Sequence, residues 1–286
     1  MKKSFDKIYE NVPSDQKEQF RKFRSAHPYK KYVTGGITWE YITCGKGDAL
    51  VLLPGGFRFA ETWFKLITVF ENDYQIVSPT YPALPTMAEH TKGIAAILKS
   101  EMIEKAHILG TSFGGWVAQC FIRNYPEKVT TLILSNTSGP RWVSSTLLRI
   151  GQISTYLFPQ RLIQSAVRRN YFNLLSVSEK DQKFWKAYVE ELSLKMTKND
   201  IMAQQKCGLD FNNYVFTRKD LVDWPGRILI LESDDDTAIK YDAREKLKAL
   251  YPQAKVHTFH KQGHTPGYMS PEEYTSVVKT FLNLNR

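Results

Sequence analysis

The hexapeptide Gly110-Thr111-Ser112-Phe113-Gly114-Gly115 sets a serine hydroxyl between glycines two residues to either side. Before it runs Ala106-His107-Ile108-Leu109, a short apolar stretch of strand type, and after it Trp116 to Arg123, which reads as a buried helix. A G-x-S-x-G pentapeptide between strand and helix is a nucleophile elbow. Its turn is so tight that only glycine fits at the flanks. The strain lifts the hydroxyl clear of the sheet and aims the Phe113 N–H, with the positive end of the new helix, at whatever sits on that hydroxyl. Such an arrangement serves nucleophilic attack and stabilisation of the oxyanion that follows.

A neutral serine is a weak nucleophile and needs a base within hydrogen-bond reach, held in turn by a third group. Six histidines are available. His107 sits in the apolar stretch before the elbow, where a packed imidazole is expected. His27 belongs to an N-terminal arm, His90 lies between a proline-rich loop and a helix, and His257 and His260 fall on a predicted strand. His264 stands in Gln262-Gly263-His264-Thr265-Pro266, a glycine-marked loop between the last predicted strand and a helix opening at Pro271.

These groups must be positioned by the elements around them. Residues 4–26 have helical spacing, with Phe5, Ile8, Tyr9, Phe20 and Phe23 as apolar anchors and a break at Pro13-Ser14. Gly35-Gly36 between alternating runs predicts a hairpin over residues 29–42. Apolar strands at 49–53, 75–78, 106–109 and 129–134 then alternate with helices near 63–70, 91–100 and 116–123. Residues 138–224 interrupt the alternation with helices at 146–158, 160–169, 181–194 and from 200 onward. It resumes with a strand at 227–231, a helix at 242–250, a strand at 254–259 and a helix at 271–284. Buried strands alternating with helices imply a mostly parallel sheet covered on both faces. The helical interruption has the position of a lid over the sheet edge where ligands of such folds bind.

From residue 29 onward this pattern resembles the α/β-hydrolase superfamily. The resemblance implies an α/β-hydrolase fold, with an eight-stranded, mostly parallel sheet flanked by helices and a helical cap between strands six and seven. It divides the chain into an arm (1–32), a core (33–137 and 225–286) and a cap (138–224). Gly263-His264 before Pro271-Glu272-Glu273 matches the family's terminal histidine and makes His264 the base. The acid that follows strand seven maps to Asp236 in Ser233-Asp234-Asp235-Asp236, leaving Asp234 and Asp235 as solvated turn residues. Ser135-Asn136-Thr137, the alternative site after strand six, holds no carboxylate. The oxyanion donors map to the N–H groups of Gly56 and Phe113; proline at 54 stands where relatives often carry a histidine. Finally, Thr80-Tyr81-Pro82-Ala83, Gly114 to Gln119, Leu132 to Thr137 and Tyr251-Pro252-Gln253-Ala254 resemble the maspardin branch, a cytosolic branch associated with binding or trafficking.

The 286 residues carry a formal net charge of +10, and the excess is localised. Residues 1–32 hold 9 Lys/Arg against 4 Asp/Glu, and residues 138–224 hold 13 against 8. Two basic segments read as a solvated surface, or as attraction for an acidic substrate, partner or membrane surface. No apolar run approaches the ~20 residues of a membrane span. Cys44, Cys120 and Cys207 are odd in number and far apart, which fits a reducing cytoplasm without disulfides or a zinc site. There is no nucleotide, metal or flavin motif, so no cofactor and no nucleic-acid partner are expected.

Two functions follow. The first is a serine hydrolase of a small carboxylic ester or related acyl substrate, using Ser112, His264 and Asp236; the same triad serves carbon–carbon hydrolysis and peroxidase-like chemistry. The second is a non-catalytic binding protein that engages a partner through its basic segments. The complete serine, histidine and aspartate set favours the first, the charge placement and the maspardin-like loops the second. Trp142, Leu147, Leu148, Tyr156, Phe158, Phe172 and Trp185 are candidates for an apolar acyl pocket, or for the cap's own core.

Overall fold

A computed structural model describes residues 4–283 of the chain. The basic start of the arm, Lys2 and Lys3, and Leu284, the expected end of the last helix, lie outside the described residues. The strands are β1 (Lys30–Thr34), β2 (Ile37–Cys44), β3 (Asp48–Leu53), β4 (Tyr74–Thr80), β5 (Ala106–Thr111), β6 (Val129–Ser135), β7 (Arg227–Ser233) and β8 (Lys255–Phe259). The helices are α1 (Phe5–Ile8), α2 (Ser14–Ala26), α3 (Phe64–Phe70), α4 (Met87–Ser100), α5 (Phe113–Asn124), α6 (Ser145–Leu157), α7 (Gln160–Leu174), α8 (Gln182–Lys195), α9 (Lys198–Asn212), α10 (Tyr241–Leu250), α11 (Pro266–Met269) and α12 (Pro271–Asn283).

The eight strands form one sheet in the order β1-β2-β4-β3-β5-β6-β7-β8. The pairs β1–β2 and β2–β4 are antiparallel and the rest parallel, the β1–β2 turn being Gly35-Gly36 with both residues at positive φ. β3, β5, β6 and β7 are almost wholly buried apolar runs, because helices cover both faces of the parallel strands. Register then decides where the loops emerge. Leu53 pairs with Gly110, Thr111 with Ser135, Ser135 with Leu231 and Ser233 with Phe259. The segments after β3, β5, β6, β7 and β8 therefore leave the sheet along one edge. They carry Gly56, Ser112, Asn136, Asp236 and His264.

Helices α6 to α9 lie between β6 and β7, with α6 packed on α9 and α7 on α8. α8 is shared with the core: Phe184, Trp185 and Tyr188 are buried with Phe20 and Phe23 of α2 and Phe64 of α3. The arm is tied down by charge as well. Arg24 reaches Glu61 and Glu191 at 2.8 Å each, Lys195 joins the same pair, and the Tyr9 hydroxyl donates to Glu191 at 2.6 Å. Burial alone would raise the Glu191 pKa, but Lys195 and Arg24 outweigh it and hold the carboxyl below its usual value. Part of the arm's basic charge thus neutralises buried glutamates. Among the described residues no helix is long and apolar enough to cross a membrane.

Two expectations need correction. α4 begins at Met87, not near Thr91, because the Thr86 hydroxyl caps it by accepting from the Glu89 N–H. His90 is therefore a helical residue. It is buried edge-on to Trp39, Tyr81 and Phe113, beneath the elbow. Burial lowers its pKa to about 3, with Arg58 acting in the same direction. The folded protein holds His90 neutral, whereas the unfolded chain protonates it below about pH 6.5. Its contribution to stability is complete above that pH and is lost as pH falls toward 3. His90→Phe is expected to flatten this loss, by up to about 1.4 kcal/mol per pH unit. Urea melts of both proteins between pH 7 and 4 measure it; parallel pH profiles would contradict the assignment.

Candidate active site

Ser112 alone reverses the chain between β5 and α5. Its backbone takes φ 50° and ψ −118°, on the side of φ that residues with a side chain rarely adopt, at a cost of order 1–3 kcal/mol. Neighbours hold it there. The Ser112 N–H donates to the Ser135 carbonyl at 3.0 Å, and its own carbonyl accepts from the Thr137 hydroxyl at 2.7 Å and the Gly115 N–H at 2.9 Å. The flanking glycines are steric necessities: a β-carbon on Gly110 would strike the Gly114 carbonyl, and one on Gly114 the carbonyls of Leu53 and Pro54. Phe113 opens α5, so its N–H is one of the first-turn donors without an acceptor inside the helix. Its ring turns into the core against Tyr81 and His90.

His264 and Asp236 are brought together. His264 Nδ1 lies 2.9 Å from Asp236 Oδ2, and both residues are buried. Asp236 also accepts from the N–H groups of Ala238 (2.8 Å) and Ile239 (2.9 Å) and from Asn136 Nδ2 (3.0 Å). Burial pushes its pKa up, yet the hydrogen bond and charge of His264 and the other donors outweigh this and hold it below the usual aspartate value. The carboxylate is thus an acceptor at neutral pH. A neutral imidazole that donates from Nδ1 to such a carboxylate keeps its lone pair on Nε2.

Ser112, Gly56 and His264 line one cavity of about 160 Å³, walled by Tyr171, Leu174 and Leu175 of the insertion and by Trp63, Leu66 and Tyr268 of the core. The Tyr171 ring stacks on Phe57 at 3.8 Å between centroids, and its hydroxyl sits where a β-carbon on Gly56 would go. Of the residues named as acyl-pocket candidates, none lines this cavity. Trp185 belongs to the core with the arm, and Leu147, Tyr156 and Phe158 face solvent.

Several positioning residues escape a reading of the sequence. Arg58, at φ 62°, places its guanidinium on the Tyr81 carbonyl and the Asp200 carboxylate, tying the loop after β3 to the loop after β4 and to α9. It braces the loop that opens at Pro54. Gln204 of α9 donates to the Gly56 carbonyl at 2.7 Å. Asn136, also at positive φ, carries the strand-six loop to Asp236; its type was the signal, since asparagine tolerates that conformation. Asp234 and Asp235 are exposed turn residues, as expected, and they also bond the loop after β8. Asp234 accepts from Lys261 N–H (2.9 Å) and bonds His260, and Asp235 accepts from the Gly263 N–H at 2.8 Å.

The other histidines are accounted for elsewhere: His107 bonds Thr131, and His257 lies beside Glu273. His27 meets Glu71 and the Phe23 carbonyl at 2.8 Å each, with Cys44 close by, so all three donor groups fall within 4.8 Å. The spacing of the cysteines gave no sign of that cluster. Burial raises the Cys44 thiol pKa to about 12, and both ring nitrogens of His27 are already engaged.

Residues 50–277 match the alpha/beta hydrolase family, and the chain belongs to it. Over 128 residues it is 30% identical to the uncharacterized hydrolase YcgS of Bacillus subtilis (strain 168), a match covering 41% of this chain and 45% of that one. Maspardin of Danio rerio is 22% identical over 273 residues, covering 91% of this chain and 84% of its own. The 2-hydroxy-6-oxo-6-phenylhexa-2,4-dienoate hydrolase of Burkholderia cepacia is 25% identical, covering 83% and 88% respectively. Among solved structures, the esterase RhEst1 from Rhodococcus sp. ECU1013 superposes with a TM-score of 0.75 at 20% identity, covering 90% of this chain and 98% of that one.

The elbow geometry has a direct test. Gly114→Ala is expected to destabilise the protein by at least the ~1–3 kcal/mol of an overpacked site, because its β-carbon meets backbone that cannot step aside. Gly139→Ala, whose β-carbon would meet only Leu250 Cδ2 at 3.9 Å, is the control and should melt like wild type. Equal melting of both variants in calorimetry would contradict the packing described.

Proposed function

We propose that the protein is a serine hydrolase that cleaves carboxylic esters through an acyl-enzyme. The observation that carries this reading is the presence, in one cavity, of a serine on a strained elbow and a histidine whose far nitrogen is held by a buried carboxylate. In this mechanism Ser112 Oγ attacks the ester carbonyl while His264 Nε2 takes its proton. Asp236 holds the imidazolium, and the N–H groups of Gly56 and Phe113 receive the oxyanion. Collapse expels the alcohol, which leaves with the proton from His264. Water, activated by the same histidine, then attacks the acyl-enzyme and frees the acid and Ser112.

We read residues 138–224 as a cap over a core of 33–137 and 225–286, with the arm bracing α8. The small cavity, walled in part by Tyr171, Leu174 and Leu175, favours a short acyl group. Relatives named as esterase and as dienoate hydrolase support hydrolysis at a carbonyl carbon, and the dienoate class makes carbon–carbon cleavage the nearest variant of the chemistry. Similarity to maspardin over 91% of the chain goes with a second reading, a non-catalytic binding protein that engages a partner through its cap and basic arm.

A fluorophosphonate probe separates the two, because only an activated serine reacts with it. Wild-type protein should label and Ser112→Ala should not, with melting unchanged. Asp236→Asn should lose on the order of 10³–10⁴-fold in kcat on p-nitrophenyl esters by favouring the wrong imidazole tautomer. Acetate and butyrate esters should give higher kcat/KM than long-chain esters. Absence of labelling in wild type would favour the binding reading, and labelling that survives Ser112→Ala would reject the nucleophile.

A further inference from the structure

α6 is inverted for a helix on a water-facing surface. The face it packs on α9 sets Leu148 against Gly208 but is otherwise small and polar: Gly151 lies against Gln205, whose side chain donates to the buried Thr155 hydroxyl at 3.1 Å. The opposite arc carries Leu147, Ile150, Ile153, Tyr156 and Leu157, all exposed, and Phe158 and Leu162 continue it into α7. Exposure along this ridge runs from 50% at Phe158 to 75% at Tyr156. Isolated exposed apolar residues are ordinary, but a contiguous ridge of seven marks a surface that something covers.

The charge around the ridge says what. From residue 128 to residue 178 the sequence contains no Asp or Glu, whereas Arg149, Arg161 and Arg169 flank the ridge and are exposed. Acidic groups on the neighbouring helices are engaged elsewhere. Asp200 pairs with Arg58, Asp210 accepts from the Met87 N–H, Glu190 lies 3.9 Å from Arg168, and Glu191 is held by Arg24 and Lys195. A second copy of the chain docked about a two-fold axis would set these arginines near their own images with no carboxylate to meet them. An apolar ridge with only cations at its margin is instead complementary to an anionic lipid surface, into which such a helix sinks its apolar face while its arginines meet headgroup phosphates.

We propose that the α6–α7 ridge docks the protein on the surface of an anionic bilayer. The inference does not depend on the chemistry assigned to Ser112, since no ridge residue lines the catalytic cavity.

Sedimentation with vesicles tests it. Wild-type protein is expected to pellet with vesicles of phosphatidylcholine mixed with phosphatidylglycerol, to do so weakly with phosphatidylcholine alone, and to be released by raised salt. Ile150→Glu combined with Leu157→Glu should abolish pelleting. Arg149→Gln combined with Arg161→Gln should weaken binding to the anionic vesicles about fivefold per arginine while leaving binding to neutral ones unchanged. All these positions are exposed, so melting temperature and ester turnover in solution should stay at wild-type values, which separates this proposal from the catalytic one. Equal pelleting of wild type and variants would overturn it. So would a wild-type dimer in light scattering that ignores vesicles and dissociates on Ile150→Glu, which would assign the ridge to a second copy.

Discussion

A serine backbone forced to φ 50° persists only where the surroundings leave it no alternative. Here two neighbouring strand ends supply that confinement. β6 grips the turn from one side through the Ser135 carbonyl and the Thr137 hydroxyl, and the end of β3 blocks it from the other, at contact distance from Gly114. Because those strands are the buried centre of the sheet, the strain at Ser112 is balanced by the packing of the whole core. Exposure of the hydroxyl and the start of α5 immediately after it are two consequences of the same turn.

The helical insertion completes what the sheet begins. Gln204 and Asp200 of α9 reach the loop after β3, the first at the Gly56 carbonyl and the second through Arg58, while Tyr171 of α7 leans on Phe57. An excursion of α9 would carry the peptide groups around Gly56 with it. On the opposite side, the loop after β8 is laced to the loop after β7 by three consecutive aspartates, each with a different donor from residues 260–264. The insertion and the loops around the site are therefore joined through a few hydrogen bonds.

The elbow, the alternation of strands and helices and the glycine-marked loop around His264 were legible because each is local: a few residues suffice to make the pattern. The same holds for the hairpin at Gly35-Gly36. What stayed hidden was non-local. Nothing near Arg58 in the sequence hints at Asp200, and Asn136 was visible only as a position lacking a carboxylate, not as the amide that holds Asp236. The lining of the cavity was hidden for the same reason. Helical spacing reveals that α6 has an apolar face but not which way that face points, and it points outward, whereas Tyr171 and Leu174 of α7, with Leu175 just after it, line the cavity.

The arm carries a consequence for how the chain is made. Tyr9 finds its partner Glu191 182 residues further on, and Phe20 packs edge-on to Phe184 at 5.2 Å. During synthesis the first helices emerge long before the surface they cover exists, so docking of α1 and α2 is a closing event of high contact order. Until α3 and then α8 arrive, Phe5, Tyr9, Phe20 and Phe23 travel on a nascent chain without the hydrophobic face they finally cover. Lysines and arginines are interspersed among them, a pattern that in general discourages association between unfolded chains. Once the protein is complete, one of them, Arg24, changes occupation and becomes the counter-ion of two buried glutamates.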